Sequence, residues 1–211
     1  EGAVLIPVQD SDVVRDGGTY SMGGAISAGR GSRVIVKYST LRENVARDGG
    51  THSDGGAISA RTASSVRIEH SDLSANLLTG VTRWGEGGAI FIFSSTTLWL
   101  SDCTLSNNAI QGPASLIQLQ GGAIWTYFSS SVTLIRVRLL ENKVVAGPST
   151  LLADGGALYI DGRDSVLSVS DSELSGNLVS GALTSNRGAI SALTDSTVML
   201  QNTVLRGNLV A

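Results

Sequence analysis

The 211-residue chain is poor in the residues that stiffen or cross-link a backbone, with 3 prolines and 1 cysteine. A single cysteine, Cys103, excludes an intrachain disulfide and leaves the redox compartment open. Scarce proline, with glycines that follow no three-residue period, excludes collagen. Charged residues make up 16% and aromatics 5%, against 42% hydrophobic residues. That balance is too apolar and too weakly charged for a disordered chain. Long hydrophobic runs are absent too. No stretch approaches the ~18 residues of a membrane helix, and residues 3–8 (AVLIPV) are too short and lack the basic start of a signal peptide. The net charge is −3 and no Lys/Arg-rich tract occurs, so nucleic acid is not expected as a partner. The first residue is Glu1 rather than Met, and the chain reads as a processed protein or a piece of a longer one.

What is abundant is glycine, with 26 residues, and the glycines recur in a motif. GGAI begins at Gly23, Gly55, Gly87 and Gly121, returns as GGAL at Gly155, and as RGAI at Arg187. The spacings are 32, 32, 34, 34 and 32 residues. Residues 15–28 (RDGGTYSMGGAISA) repeat almost unchanged as 47–60 (RDGGTHSDGGAISA). A strand-like apolar pair follows in every unit, for example Val66/Ile68 and Leu98/Leu100. An L-x-x-N element comes next, ending at Asn44, Asn76, Asn108, Asn142, Asn177 and Asn208.

The apolar period is 2, over short stretches bounded by Gly, Ser, Asn and Asp, so the elements are strands. Units of 32–34 residues with two or three short strands and no helix fit one coil of a solenoid. The expected fold is an all-β, right-handed parallel β-helix of about six to seven coils, forming a single domain over residues 1–211. Coils start near residues 23, 55, 87, 121, 155 and 187, after a partial coil over 1–22. Asn44, Asn76, Asn108, Asn142, Asn177 and Asn208 are expected to form a structural ladder in which each amide bonds the next coil. Arg187 in place of the first glycine suggests that only the second glycine is strictly needed. The fifth unit has one extra residue beside Asp161–Asp164, which reads as a loop insertion.

GGAI followed by L-x-x-N resembles the paired signature of polymorphic outer-membrane proteins. The chain is also similar to the pectin-lyase-like β-helix repeats of microbial surface proteins. The resemblance spans residues 14–211 and implies an extracellular or cell-surface role in structure or adhesion. Many pectin-lyase-like proteins cleave polysaccharides, a chemistry that needs clustered carboxylates. Asp102, Arg136 and Asp171 share one outer column, with Arg163 and Asp164 beside it. Their expected role is charge pairing across coils, and no catalytic residue is assigned. Cys103 falls in a column of small residues (Ser39, Ser71, Val137, Ser172, Thr203) away from His52 and His70, and reads as a buried inert thiol. A column of Met22, Asp54, Glu86, Gln120, Asp154 and Asn186 stacks acidic groups, but neutral Gln120 interrupts it. No metal site or cofactor is expected.

Eight of the ten aromatics lie between Trp84 and Tyr159. Phe91, Trp125 and Tyr159 share an outward column in consecutive coils, with Phe93 and Tyr127 two residues along. Exposed, they would form an aromatic contact surface for glycans or another chain. Covered by the longer loops 111–120 and 146–154, they would be structural. Caps are absent at both ends. The apolar residues Val4, Leu5 and Ile6 at one end, and Leu209 and Val210 at the other, suggest end-to-end association, including insertion of the 3–8 strand into a neighbouring chain.

Overall fold

A computed structural model describes residues 4–5, 13–15, 20–47, 51–80, 82–112 and 117–211. The chain winds as an all-β, right-handed parallel β-helix of about six turns. Successive coils pair strictly in parallel, residue on residue, so that Ile58 lies on Ile90 and Ile90 on Ile124. Sequence columns at the repeat spacing are therefore columns in space, with neighbours ~4.8 Å apart.

Each full coil carries five strands rather than the two or three that the apolar pattern suggests. In the third coil they are Trp84–Glu86, Ile90–Phe93, Thr97–Ser101, Thr104–Ser106 and Ala109–Gln111. Three-residue strands place one side chain inward, as Leu105 and Ile110 do. One inward residue has no period, which is why such strands escape a pattern search. The strands of the described residues stack into five sheets. Two matter below: the wall sheet, containing Trp84–Glu86, and the ladder sheet, containing Ile90–Phe93.

The core runs up the inside of the coils. Ile58, Ile90, Ile124 and Leu158 stack in the ladder sheet, beside columns such as Leu73–Leu105–Leu139–Leu174. A second, smaller cluster of Leu78, Ile110, Leu119, Val144 and Val179 fills the space behind the wall sheet.

Corners are cut by residues in the left-handed region, singly or, as at Thr62–Ala63 and Ser94–Ser95, in pairs. The first glycine of each pair is one of them, with φ between 62° and 74° from Gly23 to Gly155. Arg187 holds the same conformation at φ 48°, and its guanidinium bonds Asp154 at 3.1 Å. Both glycines are therefore constrained, in different ways. The first needs the backbone conformation, and the second has no room for a side chain. A Cβ on Gly56, Gly88 or Gly122 would meet the carbonyl oxygen of the next coil's second glycine at 2.0–2.1 Å. The fifth coil's extra residue lies in the turn at Gly162–Ser165, where Gly162 has φ 93°.

The asparagine ladder runs unbroken from Asn44 to Asn208. Each side-chain nitrogen donates to the next coil's Oδ1 at 2.8–3.0 Å. That same oxygen accepts the preceding asparagine's backbone N–H at 2.9–3.1 Å. From Asn76 onward the second amide hydrogen goes back to a leucine carbonyl of the coil before. Buried amides are thus fully bonded by their own stack.

The ends differ from each other. Val4–Leu5 pairs in parallel with Val34 and Ile35 of its own chain. Ile6 lies outside the described residues. At the other end Leu200, Leu205 and Val210 point inward like buried Val169, Leu174 and Val179 beneath them, yet are 44–46% exposed. Leu209 is also exposed.

Candidate functional site

The wall and ladder sheets meet at the paired glycines, and their outward side chains confront each other there. Asp54 of the wall bonds Arg61 of the ladder sheet. One coil pair further on, Trp125 Nε1–H donates to Gln120 Oε1 at 3.2 Å. The two sheets enclose a groove of about 420 Å³. His52, Trp84, Glu86, Gln118 and Gln120 line one side, and Arg61, Phe91, Phe93, Trp125, Tyr127, Tyr159 and Asp161 the other.

The five aromatics expected to form a surface are together here, but they are not an open platform. Phe91, Trp125 and Tyr159 are at most 4% exposed, and Phe93 and Tyr127 are half-buried. Parallel register is the reason. Rings one coil apart stack on each other, with Phe91–Trp125 centroids 4.7 Å apart at 4° and Trp125–Tyr159 6.3 Å apart at 3°. Phe93 and Tyr127 stack likewise at 6.0 Å. Arg61 caps the free face of Phe91 at 4.9 Å, and Leu193 packs against the same cluster. The faces of Trp125 are both used inside the molecule. Cover comes from the rings themselves and from the wall sheet. Leu151, in one of the two loops considered for that role, is 56% exposed.

The acidic column forms the inner edge of the wall. Asp54 is buried against Arg61, with its second oxygen, Oδ1, unbonded. Asp154 is buried against Arg187, and burial still raises its pKa above the ordinary carboxylate range. Glu86, between Asp54 and Gln120, has no bonded cation or donor among the described residues. Burial pushes its carboxyl up to about 7, opposed by the field of Arg61. His52 stacks on Trp84 at 4.4 Å, and burial followed by the Arg61 and Arg83 charges lowers its pKa.

This leads to a pH prediction. In the unfolded chain Glu86 ionises near its ordinary value of 4.5, whereas in the fold it holds its proton to about 7. Between those values the folded state binds more protons, so stability falls as pH rises through the window and levels off above it. At roughly 1.4 kcal/mol per pKa unit, the loss is up to about 3 kcal/mol. Glu86→Gln should therefore raise the unfolding midpoint at pH 8 and change little at pH 4. Equal effects at both pH values would contradict the assignment.

The other candidate residues are placed apart from this groove. Arg136 forms a bidentate pair with Asp102 at 2.6 and 2.8 Å on the surface, and holds the Asp102 carboxyl below the ordinary range. Asp171 accepts from Asn202. The Asp102–Arg136 pair joins opposite charges across coils as the sequence suggested, whereas the cross-coil partner of Asp171 is a neutral amide. Cys103 is buried, its thiol donating to the Ser101 carbonyl at 3.1 Å. Ser71 and Ser172 make the same bond in their coils. Burial pushes the Cys103 thiol up to about 11. The native thiol should resist a disulfide exchange reagent that reacts fully in denaturant. Cys103→Ser should change stability by less than about 1 kcal/mol in a denaturant titration, since serine already serves this position.

Sequence reasoning aligned Glu86 and Gln120 in a column but missed the second outward column of the wall. His52, Trp84, Gln118 and Leu152 form one column, and their spacing was available. Their strands are three residues long, however, and no apolar alternation marks them. No protein-family model matches the chain, and neither a curated protein nor a solved structure matches it.

Proposed function

We propose that this chain is a structural β-solenoid of an extracellular or cell-surface assembly, extended by stacking of further coils in the same register. The observation that carries this reading is the uniformity of the stack: inward columns such as Leu73–Leu105–Leu139–Leu174 and the asparagine ladder repeat in register from coil to coil. Every coil of this repeat offers the next the same inward column and the same strand edge. Apolar columns and strand edges of this kind favour pairing with another chain. The occupant that fits the register is a coil of the same repeat, so a second copy would join head to tail. The uniform ladders and paired surface charges agree with a scaffold, and the adhesive role implied by the motif resemblance belongs to the same reading. A glycan-binding role is less well supported, because the ring faces that would pack on sugars are taken up by stacking.

Sedimentation and electron microscopy of the purified chain test this. Elongated oligomers that grow with concentration are expected, and Leu205→Lys with Val210→Lys should return them to monomers. A chain that stays monomeric at high concentration would exclude stacking of copies.

A further inference from the structure

The acidic column shows, within one molecule, how this fold binds a guanidinium. In the second coil Arg61 places one nitrogen on Asp54 and lays its plane over the Phe91 ring at 4.9 Å. In the fifth coil the Asp154 carboxylate takes Arg187 at 3.1 Å. Guanidinium groups also cover Trp99 at 4.3 Å and Trp84 at 4.2 Å. The third coil has the carboxylate, Glu86, and a surplus of rings, but no cation on its ladder strand; its Arg83 lies over Trp84. Its residue in register with Arg61 is Phe93. The space a cation would take is the groove.

We propose that this groove is a binding site for the arginine side chain of a partner polypeptide, received between Glu86 and the rings of Phe93 and Tyr127. Three observations support that chemistry independently of the scaffold role. Glu86 lines the groove without a bonded partner among the described residues. The groove's fixed charges favour a cation. Arg61 is neutralised by Asp54, while Asp161 adds a carboxylate at the far side, where it accepts from Tyr159 O–H at 3.1 Å and the Gly162 N–H at 2.6 Å. His52 faces the same space, and its lowered pKa keeps it neutral there. Third, the planar, weakly hydrated guanidinium fork matches a carboxylate in an apolar-walled groove better than an ammonium does.

Ionisation of Glu86 sets the pH response. Below about 7 the carboxyl is protonated and attracts no cation. Affinity should rise through neutrality and reach a plateau above it, as the bound cation draws the proton off. Arg83, over the Trp84 ring, is a further cation on the wall side and is common to every variant below.

The test uses N-acetyl-arginine amide as probe, followed by tryptophan fluorescence and by nuclear magnetic resonance shifts, with the neutral isostere N-acetyl-citrulline amide and guanidinium ion alone as comparisons. Saturable binding of the arginine probe is expected, with about tenfold weaker binding of citrulline, an energy difference of about 1.4 kcal/mol. Guanidinium ion that binds as well as the arginine probe would overturn the assignment to a side chain. Glu86→Gln should weaken the arginine probe by a similar factor and remove its pH dependence. Phe93→Arg is the decisive variant. It rebuilds the Arg61 arrangement one coil further along, so it should fold, fill the groove from within and abolish binding. Arginine binding untouched by either variant, citrulline binding equally well, or no binding by the wild-type chain would each overturn the proposal. None of these outcomes bears on end-to-end stacking, which the sedimentation experiment reads separately.

Discussion

Gly122→Ala should largely unfold the middle of the solenoid. Its backbone needs no unusual conformation; what it lacks is space. An added Cβ would sit 2.1 Å from the Gly156 carbonyl oxygen and 2.9 Å from the Lys143 nitrogen, both main-chain atoms. Neither can swing aside, so the coils must separate and the ladder bond from Gly122 N–H to Gly155, 2.9 Å long, goes with them. Overpacking that cannot relax by a rotamer change lies at the severe end of single substitutions, about 4 kcal/mol or more. Gly29→Ala is the control. Nothing lies within 4 Å of its added Cβ, and an alanine there should be neutral or stabilise slightly, by about 0.5 kcal/mol. Denaturant titration of both variants checks the pair. Comparable losses would show that glycine content, rather than coil contact, governs stability.

Asn108→Leu should cost a similar amount by a different route. The side chain fits the volume, but its polar partners remain. The Asn76 backbone N–H and Nδ2 lose their common acceptor, at 3.0 and 2.9 Å, and the Leu73 carbonyl loses a donor at 2.9 Å. With roughly 1–3 kcal/mol for each buried group left unbonded, a total of about 4 kcal/mol is expected. Asn108→Asp separates the two halves of the amide. It keeps the acceptor for Asn76 but sets a carboxylate against Asn142 Oδ1, now at 2.9 Å from the nitrogen it replaces. That variant should recover stability as pH falls and the carboxyl gains a proton, whereas the leucine variant should not. Thermal unfolding at pH 4 and pH 8 distinguishes them.

These two positions also explain how much could be read in advance. A parallel coil repeats every contact at a fixed sequence interval, so GGAI and the asparagines declared both the period and the ladder. The wall strands were hidden because three residues with one inward side chain have no alternation. The aromatic column was legible as a column, but its burial was not. Phe91, Trp125 and Tyr159 alternate with inward residues such as Ile90, Ile124 and Leu158 and so must point outward. Whether outward means wet depends on the bend between two sheets, and the bend is set by left-handed residues at the corner. Glu86 illustrates the same limit. Its place in an acidic column was plain, yet its want of a cation emerges only where Arg61 and Arg187 are seen to serve its neighbours.

The direction of the bonds between coils has a mechanical consequence. They run along the axis of the rod, while the chain runs around it. A pull on the two ends of the rod therefore loads one coil's bonds at a time, as in unzipping, rather than shearing many together. Each coil released frees 32–34 residues, which stretch to about 110 Å against the ~4.8 Å they occupied in the stack. Such a rod yields at low force, in steps of nearly constant length, and takes up a large extension before its anchorage feels the strain.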